Sequence, residues 1–334
     1  MTAANITSAG PDAAPGAGGP DGAGLGGSGR LGRLREAFRS RRLVAGTSIV
    51  GFFVLLGLIG PFFFSSPNHI GGPQYAAPSV HYWLGTTQIG QDVFAQLVVS
   101  TRASLEIGVG AALLATIISI ILGISGGYAG GFIDEAVSLL SNVVLVIPTL
   151  PLVIVILAYV KSGGLVPLIV IIALTSWAAS ARVLRAQTLS VRNREYVLAA
   201  RASGERPWRI VLVEIMPNEL PIIVSQFIFG MIFAILTQAA LAFIGLGDPS
   251  LLTWGNMLNI AYSDEALSAG AWWWILPPGL CIALLGMGLA LINFSLDELL
   301  NPRLRVYRPR RPARVGRDAP AAPAGPAGFA GTAS

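Results

Sequence analysis

Residues able to make or break bonds are scarce in this chain of 334 residues. Its one cysteine, Cys281, lies inside an apolar stretch, so no disulfide can form within the chain and a thiolate metal site lacks the sulfur it would need. His69 and His81 stand in a loop and read as solvated side chains. The one lysine, Lys161, is followed by Ser162-Gly163-Gly164, so the G-x-x-x-x-G-K-S/T phosphate cradle is missing and ATP hydrolysis by that route is excluded. Neither H-E-x-x-H nor a nucleophile elbow occurs. The chain is expected to be non-catalytic and to bind no cofactor or metal of its own.

The elements that would position these residues are written in the hydropathy. Hydrophobic residues make up 53% of the chain and charged residues 12%, with a mean hydropathy of +0.67, against about 25% charged in a soluble domain. Too little polar surface is left to coat a water-exposed particle, which makes this an all-α polytopic membrane protein. Six windows reach the roughly 20 apolar residues a span requires: 43–64, 104–127, 137–160, 165–183, 220–245 and 271–294. The first is too long for a cleaved signal sequence. Segments 1–42 and 307–334, rich in Ala, Gly, Pro and Arg, cannot bury a core and are expected to be disordered cytoplasmic ends.

Arginine clusters at Arg30–Arg42, Arg182–Arg209 and Arg303–Arg317 hold all the basic residues except Arg102 and Lys161. Clusters beside apolar segments read as cytoplasmic anchors rather than nucleic-acid contacts. Six spans with both termini cytoplasmic put all three on one side and turn 65–103 outward. Asp134 is expected to cap the third helix. Glu106 is the one acidic residue inside a span window and reads as a boundary residue. A proton or sodium relay would need buried intramembrane charge, so an ATP-independent secondary transporter or channel is the weaker reading, as is a membrane scaffold. Uncharged polar residues such as Asn142, Gln226, Thr237, Gln238 and Asn293 could line a wet translocation path, or could be interhelical glue worth about 0.6 kcal/mol apiece.

Between the fourth and fifth spans lies a loop, 190–218, too long for a simple turn. Its stretch from Glu195 and Tyr196 through Leu198, Ala199 and Ala200 to Ser203 is a good helix former, and Gly204 supplies the left-handed stop. Pro207 suits the first turn of a second helix, in which Trp208, Val211, Leu212 and Ile215 repeat at helical spacing. Glu205 and Arg209 form an i,i+4 pair, and Pro217 and Pro221 are expected to close the unit. Composition leaves open whether this amphipathic unit lies on lipid or meets another protein.

Ala199-Ala200-x-x-x-Gly204 followed by Ile215-Met216-Pro217 resembles the EAA loop of permease subunits of ATP-binding-cassette importers. Leu84-Gly85-Thr86, Gly127-Tyr128-x-Gly130-Gly131, Phe243-Ile244-Gly245-Leu246-Gly247, Trp254-Gly255-Asn256-Met257-Leu258 and Pro302-Arg303-Leu304-Arg305 are similar to segments of the second permease subunit in the dipeptide, oligopeptide and nickel branch. The chain differs from the usual pattern at Leu198, where the loop has Glu, and at Thr87 and Gln91. The resemblance implies the type I importer permease fold, with a core over 104–306 and residence in the cytoplasmic membrane. It implies a homologous permease subunit as heterodimer partner, two ATPase subunits that hold ATP and Mg, and an extracellular solute-binding lipoprotein. Glu195, Tyr196, Leu198, Ala199, Ala200, Ser203, Gly204, Arg209 and Pro217 would couple to the ATPases. The implied cargo is a peptide, with nickel or oligosaccharide as alternatives.

Overall fold

A computed structural model describes residues 41–64, 66–160 and 163–300. The arginine-rich N-terminal segment, the tail with Pro302–Arg305, and Lys161 lie outside the described residues. Helices dominate: α1 (Arg41–Phe63), α2 (Val93–Ala129), α3 (Gly131–Val146), α4 (Thr149–Tyr159), α5 (Leu165–Val191), α6 (Glu195–Ala202), α7 (Pro207–Phe243), α8 (Trp254–Ser263) and α9 (Trp272–Leu300). Two isolated β-bridges, Ile70 to Gln91 and Thr86 to Asp92, are the extended pairings among the described residues. Among the described residues five helices are long and apolar enough to cross a membrane, or six where α3 and α4, bent by 87° at their break, are counted together as one span. The break falls at Ile147-Pro148, both in extended conformation, because the residue before a proline disfavours helix.

The helices that carry the second and fifth windows are longer than those windows. Helix α2 begins at Val93 rather than 104, where Asp92 caps it by accepting from the Phe94 and Ala95 amides at 2.8 and 3.4 Å. Glu106 lies in the interior of this longer helix and pairs with Arg102 at 2.8 Å on an exposed face. Helix α7 runs from Pro207 without a stop at Pro217 or Pro221, correcting the expected closure. A π-helical stretch, Ile210–Ile215, absorbs the first proline: the Met216 amide bonds back to the Val211 carbonyl, five residues earlier, and the ladder is already shifted where Pro217 lacks its N–H.

Helices α2, α5 and α7 form the centre, with α1 and α9 packed together against it. Asp134 caps nothing: it sits in the first turn of α3 and takes a two-pronged pair from Arg185 of α5, with Nη2 to Oδ2 at 2.9 Å. At the end holding α8, the segment 66–92 is tied down by the Tyr75 hydroxyl donating to the Asp264 carbonyl at 2.7 Å and by Trp273 Nε1 donating to the Thr86 carbonyl. Thr87 and Gln91, which depart from the family pattern, bond one another, and the Gln96 amide donates to Gln91 at 2.7 Å. Helix α8, ten residues long, went unanticipated because it is too short to register as a span.

Candidate functional site

The expected helix–turn–helix is present at the end of the bundle opposite α8. Helix α5 ends at Val191, and after three residues α6 starts, with Glu195 in its first turn where a carboxylate favours the positive dipole end. Helix α6 ends in a Schellman turn. The Gly204 amide donates to the Arg201 carbonyl at 3.0 Å and the Glu205 amide to the Ala200 carbonyl at 3.2 Å, with Gly204 at φ +76°. Ser203 Oγ donates to the Ala199 carbonyl at 3.0 Å.

One fully buried side chain, Val197, fastens α6 to the bundle in a cluster with Ile124, Leu184, Val191, Ile210, Ile215 and Ile223. A second tie is the Arg201 guanidinium, 4.7 Å from the centre of the Tyr128 ring. The apolar face expected at Trp208, Val211, Leu212 and Ile215 is only partly the one that packs. Trp208 and Leu212 are exposed, whereas Ile210 and Ile215 are buried. Five-residue spacing is what a π-helical turn presents to one side, so the switch from 3.6-residue geometry rotates the face.

Between α6 and the start of α7 lies an open groove of about 420 Å³, lined by Tyr196, Ala199, Ala200, Ser203, Glu205, Arg209, Ile210, Val213 and Glu214. Five of these, Tyr196, Ala199, Ala200, Ser203 and Arg209, are among the residues that the resemblance assigns to contact with another protein; Glu205, Ile210, Val213 and Glu214 are not. Small Ala199 and Ala200 form its floor on α6, and the Glu205–Arg209 pair, at 2.6 Å, borders it. Leu198 is exposed beside Tyr196, while Pro217 is exposed on α7, outside the groove lining.

Three of the polar residues considered for a path have hydrogen-bond partners on other elements. Gln238 Nε2 donates to Thr253 Oγ1 at 2.9 Å, and Asn293 Oδ1 accepts from Ser225 at 2.6 Å; both are buried interhelical ties. Thr237 is buried and Gln226 half-buried. Asn142 is exposed and accepts from Arg182 at 2.5 Å.

One polar residue escaped sequence reasoning. Glu219 of α7 is fully buried, with Oε1 at 2.8 Å from the Thr188 hydroxyl of α5, and Oε2 has no hydrogen-bond partner among the described residues. It fell one position outside the fifth hydropathy window. The available signal was its place in the row Ile215, Glu219, Ile223, four residues apart on one helix face.

Outside the spans, Asp248 is held below the ordinary carboxylate range, chiefly by the Ser250 hydroxyl and then the Ser250 amide, at 2.7 and 2.8 Å. Burial pushes the Asp264 carboxyl up.

Comparison with known proteins places these features. The family of binding-protein-dependent transport system inner membrane components matches residues 119–306, which include α6, the groove and Glu219. A dipeptide transport system permease protein of Bacillus subtilis (strain 168) is 33% identical over 276 residues, covering 81% of this chain and 85% of that protein. An oligopeptide transport system permease protein of the same organism is 32% identical over 275 residues, covering 80% and 88%. A glutathione transport system permease protein of Pectobacterium atrosepticum is 32% identical over 229 residues, covering 68% and 75%. A helix–turn–helix between two long apolar helices, and relatives matched along most of their length, lead to one assignment: this chain belongs to the family of binding-protein-dependent transport system inner membrane components.

Proposed function

We propose that the chain is a permease subunit of an ATP-driven importer and that its cargo is a peptide. The observation that carries the coupling role is the groove between α6 and α7, floored by alanines and continuous in chain with both α5 and α7. A partner seated there would move two membrane helices at once. The names of the relatives support dipeptide, oligopeptide or glutathione-sized cargo. ATP and Mg would be held by two partner ATPases meeting α6 and the turn at Gly204. A homologous permease subunit would cover the other side of the bundle, and a solute-binding lipoprotein would dock at the end holding α8. On this reading α6 and both termini are cytoplasmic, in agreement with Arg185, Arg192, Arg194, Arg201, Arg206 and Arg209 gathering at that end.

Mechanistically, closure of the ATPases would push α6. Val197 and the Arg201–Tyr128 contact would hand that displacement to the bundle, switching the cavity between two states of different cargo affinity. The test is uptake by the complex reconstituted with its partner subunits in liposomes. A labelled dipeptide accumulates against its gradient only when ATP is on the α6 side. Accumulation without ATP sinks the coupling role, and competition by nickel or an oligosaccharide, but not by peptides, reassigns the cargo.

A further inference from the structure

The buried pair Glu219–Thr188 joins α7 to α5, the two helices that the coupling turn connects, and its hydrogen atoms can be counted. Thr188 has one hydroxyl hydrogen but two acceptors in reach: the Leu184 carbonyl at 2.9 Å and Glu219 Oε1 at 2.8 Å. If Glu219 were ionised, the hydroxyl could serve only one of them, and the carboxylate would have one donor at most, at 0% exposure in an apolar cluster. If Glu219 is the acid, its O–H donates to Thr188 Oγ1, Thr188 donates to Leu184, and both short contacts are hydrogen bonds.

Among the described residues no cation compensates. On α5, Arg185 is engaged with Asp134 and Arg192 donates to the Gly127 carbonyl at 2.8 Å, while Arg182 donates to Asn142. On α6, Arg201 covers the ring of Tyr128 from α2, and Glu195 and Tyr196 are exposed. On α7, Arg209 pairs with Glu205, and Glu214 lines the groove. On α9, Asp297 accepts from Ser225 and Glu298 faces Arg42. Gly127 of α2 packs closely on the Thr188 side of the pair: a Cβ there would lie 2.9 Å from Thr188 Cβ.

We propose that Glu219 is a positioning residue carried as a neutral acid, a latch between α5 and α7 that must part when the coupling turn drives them apart. Parting admits water from the α6 end, and the acid can then lose its proton to that water, leaving a carboxylate that resists being buried again. The transport half of this inference rests on the importer reading; the protonation half does not.

The experiment separates the two. Infrared difference spectra of the reconstituted complex, wild type minus Glu219→Gln, are expected to show the carbonyl band of a protonated carboxylic acid at neutral pH, shifted in Thr188→Val and kept in Thr188→Ser. Absence of that band overturns the assignment whatever the chain transports. Glu219→Gln keeps a donor toward Thr188 but no titratable proton. Its uptake should equal the wild-type rate in mildly acidic buffer. From there to mildly alkaline buffer the wild type should fall by about threefold or more while the variant does not. Should Glu219→Gln fail to assemble, Glu219→Met, of similar length and without a titratable proton, takes its place, and its uptake should also lose the alkaline fall. Matching pH profiles for wild type and the assembled variant overturn the latch role even with the band present. Loss of all uptake in assembled Glu219→Gln would overturn the latch role, whereas no ATP-dependent uptake by the wild type itself, with the band present, would locate the fault in the importer reading of this helix pair.

Discussion

Replacing Gly204 by valine tests the turn that joins the two halves of the coupling unit. Gly204 has φ +76°, and a Cβ built on it meets nothing within 4 Å, so the cost within this chain is backbone strain and not collision. A β-branched residue in the left-handed region costs about 1–2 kcal/mol, which is about a 5- to 30-fold drop in the population of the turn as it stands. The two Schellman bonds, from the Gly204 and Glu205 amides, go with it. Val197 and Arg201 still hold α6, so the complex should assemble. The expected result is wild-type ATP hydrolysis with uptake reduced about fivefold or more. Asparagine, which tolerates this conformation, should retain most of the coupling, with alanine between. The assay is uptake and ATPase activity measured on one preparation, with assembly checked by co-purification. Full coupling in Gly204→Val would refute the claim that this backbone conformation transmits the stroke.

Three further outcomes are expected. Ala199→Arg puts a long cation on the exposed floor of the groove, and co-purification of the ATPases should drop about tenfold or more with α6 still folded by circular dichroism; wild-type recovery would remove the groove from the docking surface. Breaking the half-buried pair by Asp134→Asn or Arg185→Gln should destabilise the α3–α5 contact by about 3 kcal/mol, read as a lower unfolding midpoint in detergent, and the double replacement should recover part of that loss; additive losses would mean the pair is not coupled. The Asp248 carboxyl is depressed when folded, so the stability it lends is present above its unfolded value and is lost as pH falls through the folded one. Ser250→Ala should raise its titration toward the ordinary carboxylate range, read by NMR of a labelled side chain, and an unmoved titration would discount the Ser250 bonds.

Much of this architecture was legible because lipid and water impose opposite demands on a helix. Spans announce themselves by length, and Gly204 and Pro207 punctuate the coupling unit in the usual way. What escaped was geometry that hydropathy does not encode. Asp134 looked like a cap because its partner, Arg185, is distant in sequence and the contact exists only once α3 folds against α5. The apolar row Trp208, Val211, Leu212 and Ile215 was drawn at 3.6 residues per turn, and the π-helical stretch breaks that assumption. Glu219 was overlooked because averaging over a window discards a single charge at its edge. The residues suggested for a path, Gln238 and Asn293 above all, turned out to be bonded to Thr253 and Ser225, uses that sequence alone cannot distinguish from lining a wet cavity.

The lengths of α2 and α7 carry a mechanical corollary. Each runs 37 residues without a break in the chain of helical turns, about 55 Å at 1.5 Å per residue, against about 30 Å of hydrocarbon. Such rods extend past the lipid and can act as levers about a fulcrum within it. A tilt of only about 10° would swing each tip by about 5 Å in opposite directions. A small stroke delivered at one surface can thus reappear, reversed in sense and without loss of amplitude, at the other.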